Sequence, residues 1–245
     1  MKSIIPDDNI IIIMCKKVTK NLYDKYSLIG LKDIIFISDK IPDINSKNII
    51  YYDDNVCIEN GFWGMHSSIK ITSWDKAFYY LKMNMLTDKY YWLIEDDCYI
   101  NKLKFNQYVN NLSKYKHDVI FFGWYKTFPA NKWHHWSKNN NIFSNENLHA
   151  TINQILRLSP NFINKILEFQ ANHNRFIFHE MLIPSIGSKF KLNGLLIKDK
   201  KINISAKIEK SLINKKFNKS NKNQIIRSLN SDYIVVHPFK LWYDI

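Results

Sequence analysis

Three consecutive carboxylates, Glu95-Asp96-Asp97, stand directly behind the apolar run Tyr90-Tyr91-Trp92-Leu93-Ile94. Adjacent carboxylates repel one another, so such a triplet is costly unless a cation or hydrogen-bond donors offset its charge. Mg²⁺ and Mn²⁺ prefer oxygen ligands and commonly take one or two carboxylates together with substrate phosphates. A short acidic cluster at a strand end therefore suits a metal–diphosphate complex and needs no complete protein-made cage. An acidic turn with helix-capping side chains gives the same three letters. The place of this one, after a strongly apolar strand and before Cys98-Tyr99-Ile100, requires part of it to be buried and favours the functional reading.

The elements that must position these acids are legible in the first half of the chain. Near-continuous apolar runs at residues 10–14, 33–38, 48–52, 90–94 and 118–122 predict strands covered on both faces, as in α/β sheets. Between them, Trp74, Ala77, Phe78, Leu81 and Met85 recur at helical spacing behind a Ser73 cap. Phe105, Tyr108, Val109 and Leu112 repeat the pattern, and Ser159-Pro160 opens a further helix through Phe162, Ile163, Ile166 and Leu167. Strands alternating with helices predict a mainly parallel sheet. Open sheets of this kind bind ligands at the carboxyl ends of their strands, where the acids sit. Residues 233–236 read as a returning strand.

Composition narrows the classes. A chain of 245 residues that is 46% hydrophobic is enough for one large domain, or for one domain with a smaller lobe. The formal charge of +13 favours polyanionic partners, although the Asn-, Ile- and Lys-rich composition tempers that inference. Residues 198–227 concentrate the lysines and read as a solvated, mobile segment. Cys15, Cys57 and Cys98 are scattered and form no CxxC, which suits a reducing compartment and gives no zinc or disulfide signal. The run Ile10–Met14 is too short to span a bilayer, and the first nine residues have no signal-peptide core, so a soluble cytoplasmic protein is expected. Neither GxGxxG nor GxxxxGK occurs, which leaves a metal to carry most of any diphosphate charge.

Ser73-Trp74-Asp75-Lys76-Ala77-Phe78-Tyr79-Tyr80-Leu81, followed by Trp92-Leu93-Ile94-Glu95-Asp96-Asp97, resembles the nucleotide-sugar glycosyltransferases of the GT-A fold, which carry a DXD or EDD motif after the fourth strand. The EDD form is similar to that of the N-acetylglucosaminyltransferase I type. The resemblance covers about the first two thirds of the chain. It implies one GT-A-like α/β domain over residues 1–245, with a mixed, mainly parallel sheet flanked by helices. Residues 1–125 would form the nucleotide-sugar-binding half and 126–245 the acceptor-binding half. The activity implied is metal-dependent hexosyl or N-acetylhexosaminyl transfer from a nucleoside-diphosphate sugar, with UDP foremost, to a hydroxyl of a glycan, protein or small molecule.

By the same resemblance, Asp97 contacts Mn²⁺ or Mg²⁺ directly, while Asp96 and Glu95 hold the ribose, the sugar or metal-bound water. Lys76 faces the donor phosphates; the bland alternative is an exposed helical lysine. Glu180, in Phe178-His179-Glu180-Met181-Leu182-Ile183-Pro184, matches the acid that serves inverting members as general base. A first-turn glutamate favoured by the helix dipole is its alternative. His237 is a metal ligand and Lys240 a diphosphate contact, against a structural histidine. Trp124, Trp133 and Trp136 offer rigid faces to an acceptor sugar, or else form a structural aromatic cluster.

Two readings from other classes compete. A metal-dependent nuclease would share the acids and use the positive charge on phosphates. A non-catalytic lectin-like or nucleic-acid-binding module would need no metal at all. The lysines gather away from the acids in sequence, which places nucleic acid second.

Overall fold

Strand β1 (Asn9–Cys15) grows from the expected run of isoleucines. α1 (Lys20–Ser27), β2 (Ile34–Ser38), β3 (Ile49–Tyr51), α2 (Asp54–Glu59) and α3 (Ser73–Asn84) follow. β4 (Tyr90–Glu95) ends on the first of the three acids. Next come β5 (Tyr99–Ile100), α4 (Lys102–Leu112), β6 (Val119–Phe122), β7 (Tyr125–Thr127), β8 (His149–Thr151) and β9 (Ile155–Leu158). The chain continues through α5 (Pro160–His173), α6 (His179–Lys189), β10 (Gly194–Ile197), β11 (Ile202–Ile204) and β12 (Val235–His237). The computed structural model describes residues 8–27, 34–64, 71–122, 125–127, 136, 142–151, 153–198, 202–204 and 234–237.

Seven strands form one sheet in the order β10-β6-β9-β4-β1-β2-β3. All neighbouring pairs are parallel except those of β9, which runs antiparallel to both β4 and β6. The fold is thus the expected single α/β domain with a mixed, mainly parallel sheet flanked by helices. Alternate residues of β1 divide between the two faces. Ile11, Ile13 and Cys15 join Phe36, Trp92 and Phe122 under α1 and α4. Ile12 and Met14 join Leu93 and Leu156 under α3, α5 and α6. Both faces are buried, which is why the strands read as unbroken apolar runs. Each fully buried large side chain contributes about 1.5–3 kcal/mol relative to exposure.

The ends of the helices follow local chemistry, with one shift. Ser159 caps α5 by accepting from Phe162 N at 3.1 Å, with Pro160 in the first turn. α3 is capped by Thr72 and not by Ser73 as expected. The Asp75 carboxylate accepts from the Thr72 N–H and hydroxyl at 2.8 and 3.0 Å, so Ser73 becomes the first helical residue.

The tail also departs from expectation. The returning strand spans Val235–His237 and lies outside the main sheet, in a three-stranded sheet ordered β11-β12-β5. β11 falls inside the lysine-rich stretch read as mobile, so at least that part is a strand; most of residues 198–227 lie outside the described residues. Among the described residues, no helix is long and apolar enough to cross a membrane.

Candidate metal centre at the carboxyl end of the central sheet

Parallel pairing of β1 with β4 sets Met14 beside Glu95, so the acids leave the sheet next to the end of β1. The turn that carries them is braced from several sides. Asp96 N donates to Met14 O at 3.0 Å, and Cys98 N to Glu95 O at 3.1 Å. The buried Tyr26 hydroxyl donates to Cys98 O at 2.8 Å. Asp96 Oδ2 accepts from Lys16 N at 3.0 Å, which ties the middle acid to the end of β1.

Glu95 and Asp97 meet a third residue from the far end of the sequence. β12 pairs antiparallel with β5, with Val236 opposite Tyr99 and Val235 opposite Ile100. Continuing that register brings His237 alongside the acidic turn. His237 Nε2 lies 2.9 Å from Asp97 Oδ1 and 3.3 Å from Glu95 Oε2. One ligand atom from each of the three residues lies within 4.8 Å of the others. The three side chains retain only 24%, 20% and 12% exposure for Glu95, Asp97 and His237, so the cluster is largely shielded from solvent.

The electrostatics agree with the geometry. Burial opposes protonation of His237, but the Asp97 and Glu95 carboxylates outweigh it and raise the imidazole to about 9. Burial, then the charges of Asp97, Glu95 and Asp96, pushes the Cys98 thiol well up, and burial with Asp96 does the same for Cys15. Neither thiol is poised to ionise beside the cluster. Asp97 Oδ1 is buried, and among the described residues His237 Nε2 at 2.9 Å is its one polar partner. A buried carboxylate oxygen in that state suits a cation.

Around the cluster lie residues that no spacing in the sequence pointed to. Trp74 Nε1 donates to Glu95 Oε1 at 2.9 Å. The Trp74 indole stacks on His179, with centroids 4.4 Å apart and planes 11° apart. His179 Nε2 is 3.9 Å from the same Glu95 oxygen. Gln154 links the centre to α6: its carbonyl accepts from Glu95 N at 2.9 Å, and its Nε2 donates to Glu180 Oε1 at 2.8 Å. Trp74 reads in the sequence as one more apolar helical position, and nothing marked Gln154.

The remaining expected site residues fall differently. Lys76 and Asp75 are buried, not on a polar helix face as their types suggested. The Lys76 ammonium donates to the Asp39 carbonyl, lies 2.7 Å from the Asp54 carboxylate and 4.9 Å from the centroid of the Tyr51 ring. It ties α3 to the loop after β2 and to the start of α2, and so to the wall of an open cleft of about 660 Å³ lined by Lys17, Asp39, Tyr51 and Asp53. Trp136 is half-buried and packs against the core under α3, α5 and α6. Trp124, Trp133 and Lys240 lie outside the described residues.

No family model matches the chain, and no curated protein does. Among solved structures it is similar to the galactosyltransferase LgtC in complex with donor and acceptor sugar analogues, at 11% identity and TM-score 0.45, over 94% of this chain and 86% of that one. It is also similar to HddC from Yersinia pseudotuberculosis complexed with GMP-PN, at 12% identity and TM-score 0.40, over 78% and 90%. A third similar structure is a glycosyltransferase involved in glycosylation of the major capsid of PBCV-1, at 10% identity and TM-score 0.37, over 93% and 92%.

Proposed function

We propose that this chain is a metal-dependent glycosyltransferase of the GT-A type, moving a hexosyl or N-acetylhexosaminyl group from a nucleoside-diphosphate sugar, UDP foremost, to an acceptor hydroxyl. The observation that carries this reading is the meeting of Glu95, Asp97 and His237 at the carboxyl end of β4. Two carboxylates and one imidazole fit Mn²⁺ or Mg²⁺, and the buried Asp97 Oδ1 has no other hydrogen-bond partner among the described residues. Glu95, Asp97 and His237 would hold the ion, which supplies Lewis-acid stabilisation of the departing diphosphate.

The protein's own groups have separate tasks. Asp96, anchored on Lys16 N, fixes the turn and faces the side of β1, where the donor's ribose would lie. The neighbouring cleft beyond β1, β2 and β3 is assigned to the nucleoside, with Lys76 holding its wall. Glu180 stands at the start of α6, tied through Gln154 to the backbone of Glu95. As a carboxylate it takes the acceptor hydroxyl's proton as the oxygen attacks the anomeric carbon, which favours inversion. Trp124, Trp133 and Trp136 remain assigned to the acceptor and Lys240 to the diphosphate.

A ligand that binds only the native state raises its melting temperature by mass action. A panel of UDP-, GDP- and CMP-sugars, each with and without Mn²⁺, should give a metal-dependent shift with one nucleotide class, and the hit should release free nucleoside diphosphate on incubation with an acceptor mixture. Melting curves that no donor moves, with Mn²⁺ at millimolar concentration, would sink the reading.

A further inference from the structure

We propose that Trp74 is a positioning residue that offers the cation one oxygen of Glu95 and withholds the other, and so sets which divalent ion the centre prefers. The inference rests on the metal reading above and adds a determinant outside the ligand set.

The two oxygens of Glu95 have different surroundings. Oε1 accepts the Trp74 indole N–H at 2.9 Å and has His179 at 3.9 Å. Oε2 faces His237 at 3.3 Å, on the side where Asp97 Oδ1 also lies. The indole is a donor only and cannot turn to accept, so it distinguishes the two oxygens of the carboxylate.

Trp74 is itself held firmly. It is 3% exposed. It is the second residue of α3, whose start is pinned by the Thr72–Asp75 hydrogen bonds. It lies flat against His179 at the start of α6. Its N–H therefore cannot follow Glu95 if the carboxylate swings. Rotation of Glu95 to offer both oxygens to one ion would break a buried hydrogen bond and strand a buried indole donor, which is costly.

Cations differ in what they ask of a carboxylate. Ca²⁺ takes a larger, irregular oxygen shell in which two-oxygen carboxylates are common, whereas Mg²⁺ demands near-octahedral geometry and smaller spacing. A glutamate restricted to one oxygen favours the smaller, octahedral ions. Partners that orient a ligand typically change metal affinity by about tenfold to a hundredfold when removed.

The test is Mn²⁺ and Ca²⁺ titration of the full chain, by loss of the free Mn²⁺ paramagnetic signal and by Ca²⁺ competition, for wild type and Trp74→Phe. Phenylalanine keeps a ring against His179 and deletes the donor, together with the volume of the second ring. Melting in EDTA checks that the variant is folded. Mn²⁺ affinity should fall about tenfold and the Mn²⁺-to-Ca²⁺ preference should shrink by a similar factor, with a cooperative, somewhat lower EDTA melt showing that the fold is kept. A second measurement stands on wild type alone: the Trp74 indole proton should stay protected from solvent exchange when Mg²⁺ saturates the protein. Equal affinity and preference in Trp74→Phe, or loss of that protection in Mg²⁺, overturns the role of Trp74 while leaving the metal centre in place. Wild type that binds no Mn²⁺ overturns the metal reading, and this inference with it.

Discussion

His237 shows how much one side chain draws from its setting. In EDTA its imidazolium is held by Asp97 and Glu95, and its pKa of about 9 lies above the ordinary 6.5. A raised pKa contributes stability in full below about pH 6.5, and that contribution is lost as pH climbs through about 9. His237→Gln should therefore cost most near pH 6, on the order of 2 kcal/mol given partial solvent access, and little above pH 9.5. Urea denaturation of both proteins in EDTA across that range measures it; a gap that does not narrow with pH contradicts the pairing. Glu180 makes its claim at the same scale. Glu180→Gln preserves a partner for Gln154 but cannot take a proton, so turnover should fall by about a hundredfold or more with donor affinity retained. Near-normal kcat with the variant would move the base elsewhere. The acidic triplet is legible in the sequence by type and place, and His237 and Glu180 through the resemblance; the structure brings Glu95, Asp97 and His237 together. The sequence reading missed Trp74 and Gln154, whose contributions come from where their donors point.

At the scale of elements, β9 is the instructive case. β1, β2, β3, β4 and β6 all read as apolar runs; β1, β2, β4 and β6 are largely buried, while β3 is a partly exposed edge strand. β9 is short, runs against its neighbours and carries Arg157, and no run of its kind suggested a central strand. Arg157 is fully buried, donates to Leu112 O at 2.8 Å and to Tyr115 O, and lies 4.4 Å from the Tyr90 ring centroid. Its guanidinium adds a charged donor to Leu112 O, which also accepts from Tyr115 N at 3.0 Å, and supplies a donor to Tyr115 O just beyond α4. Arg157→Ala removes the ring contact, takes the charged donor from Leu112 O and Tyr115 O, and opens a cavity beside Tyr90. A loss of about 3 kcal/mol is expected in denaturant melts. A loss below about 0.5 kcal/mol would mean that water serves the carbonyls equally well. Capping followed local letters closely: Ser159-Pro160 was legible outright, while the start of α3 moved by one residue because Asp75 reaches back to Thr72.

Across the whole molecule, the sheet's composition from both halves of the chain matters most. β9 and β10 come from beyond residue 126 yet lie in the same sheet as β1 to β4 and β6. Alternating strands and helices made the class of fold readable, whereas the insertion of β9 between β4 and β6 depends on pairing that leaves no local mark. The charge of +13 says little about the centre itself, which is acidic and recessed.

The register of β12 on β5 carries a further meaning for biogenesis. Both acids come from the middle of the chain, whereas the imidazole is brought to them by residues 235–237 docked on β5. A nascent or truncated polypeptide that stops short of that strand has the negative half of the cleft and lacks its nitrogen. The three-residue cluster is thus complete only in a polypeptide that includes β12 docked on β5.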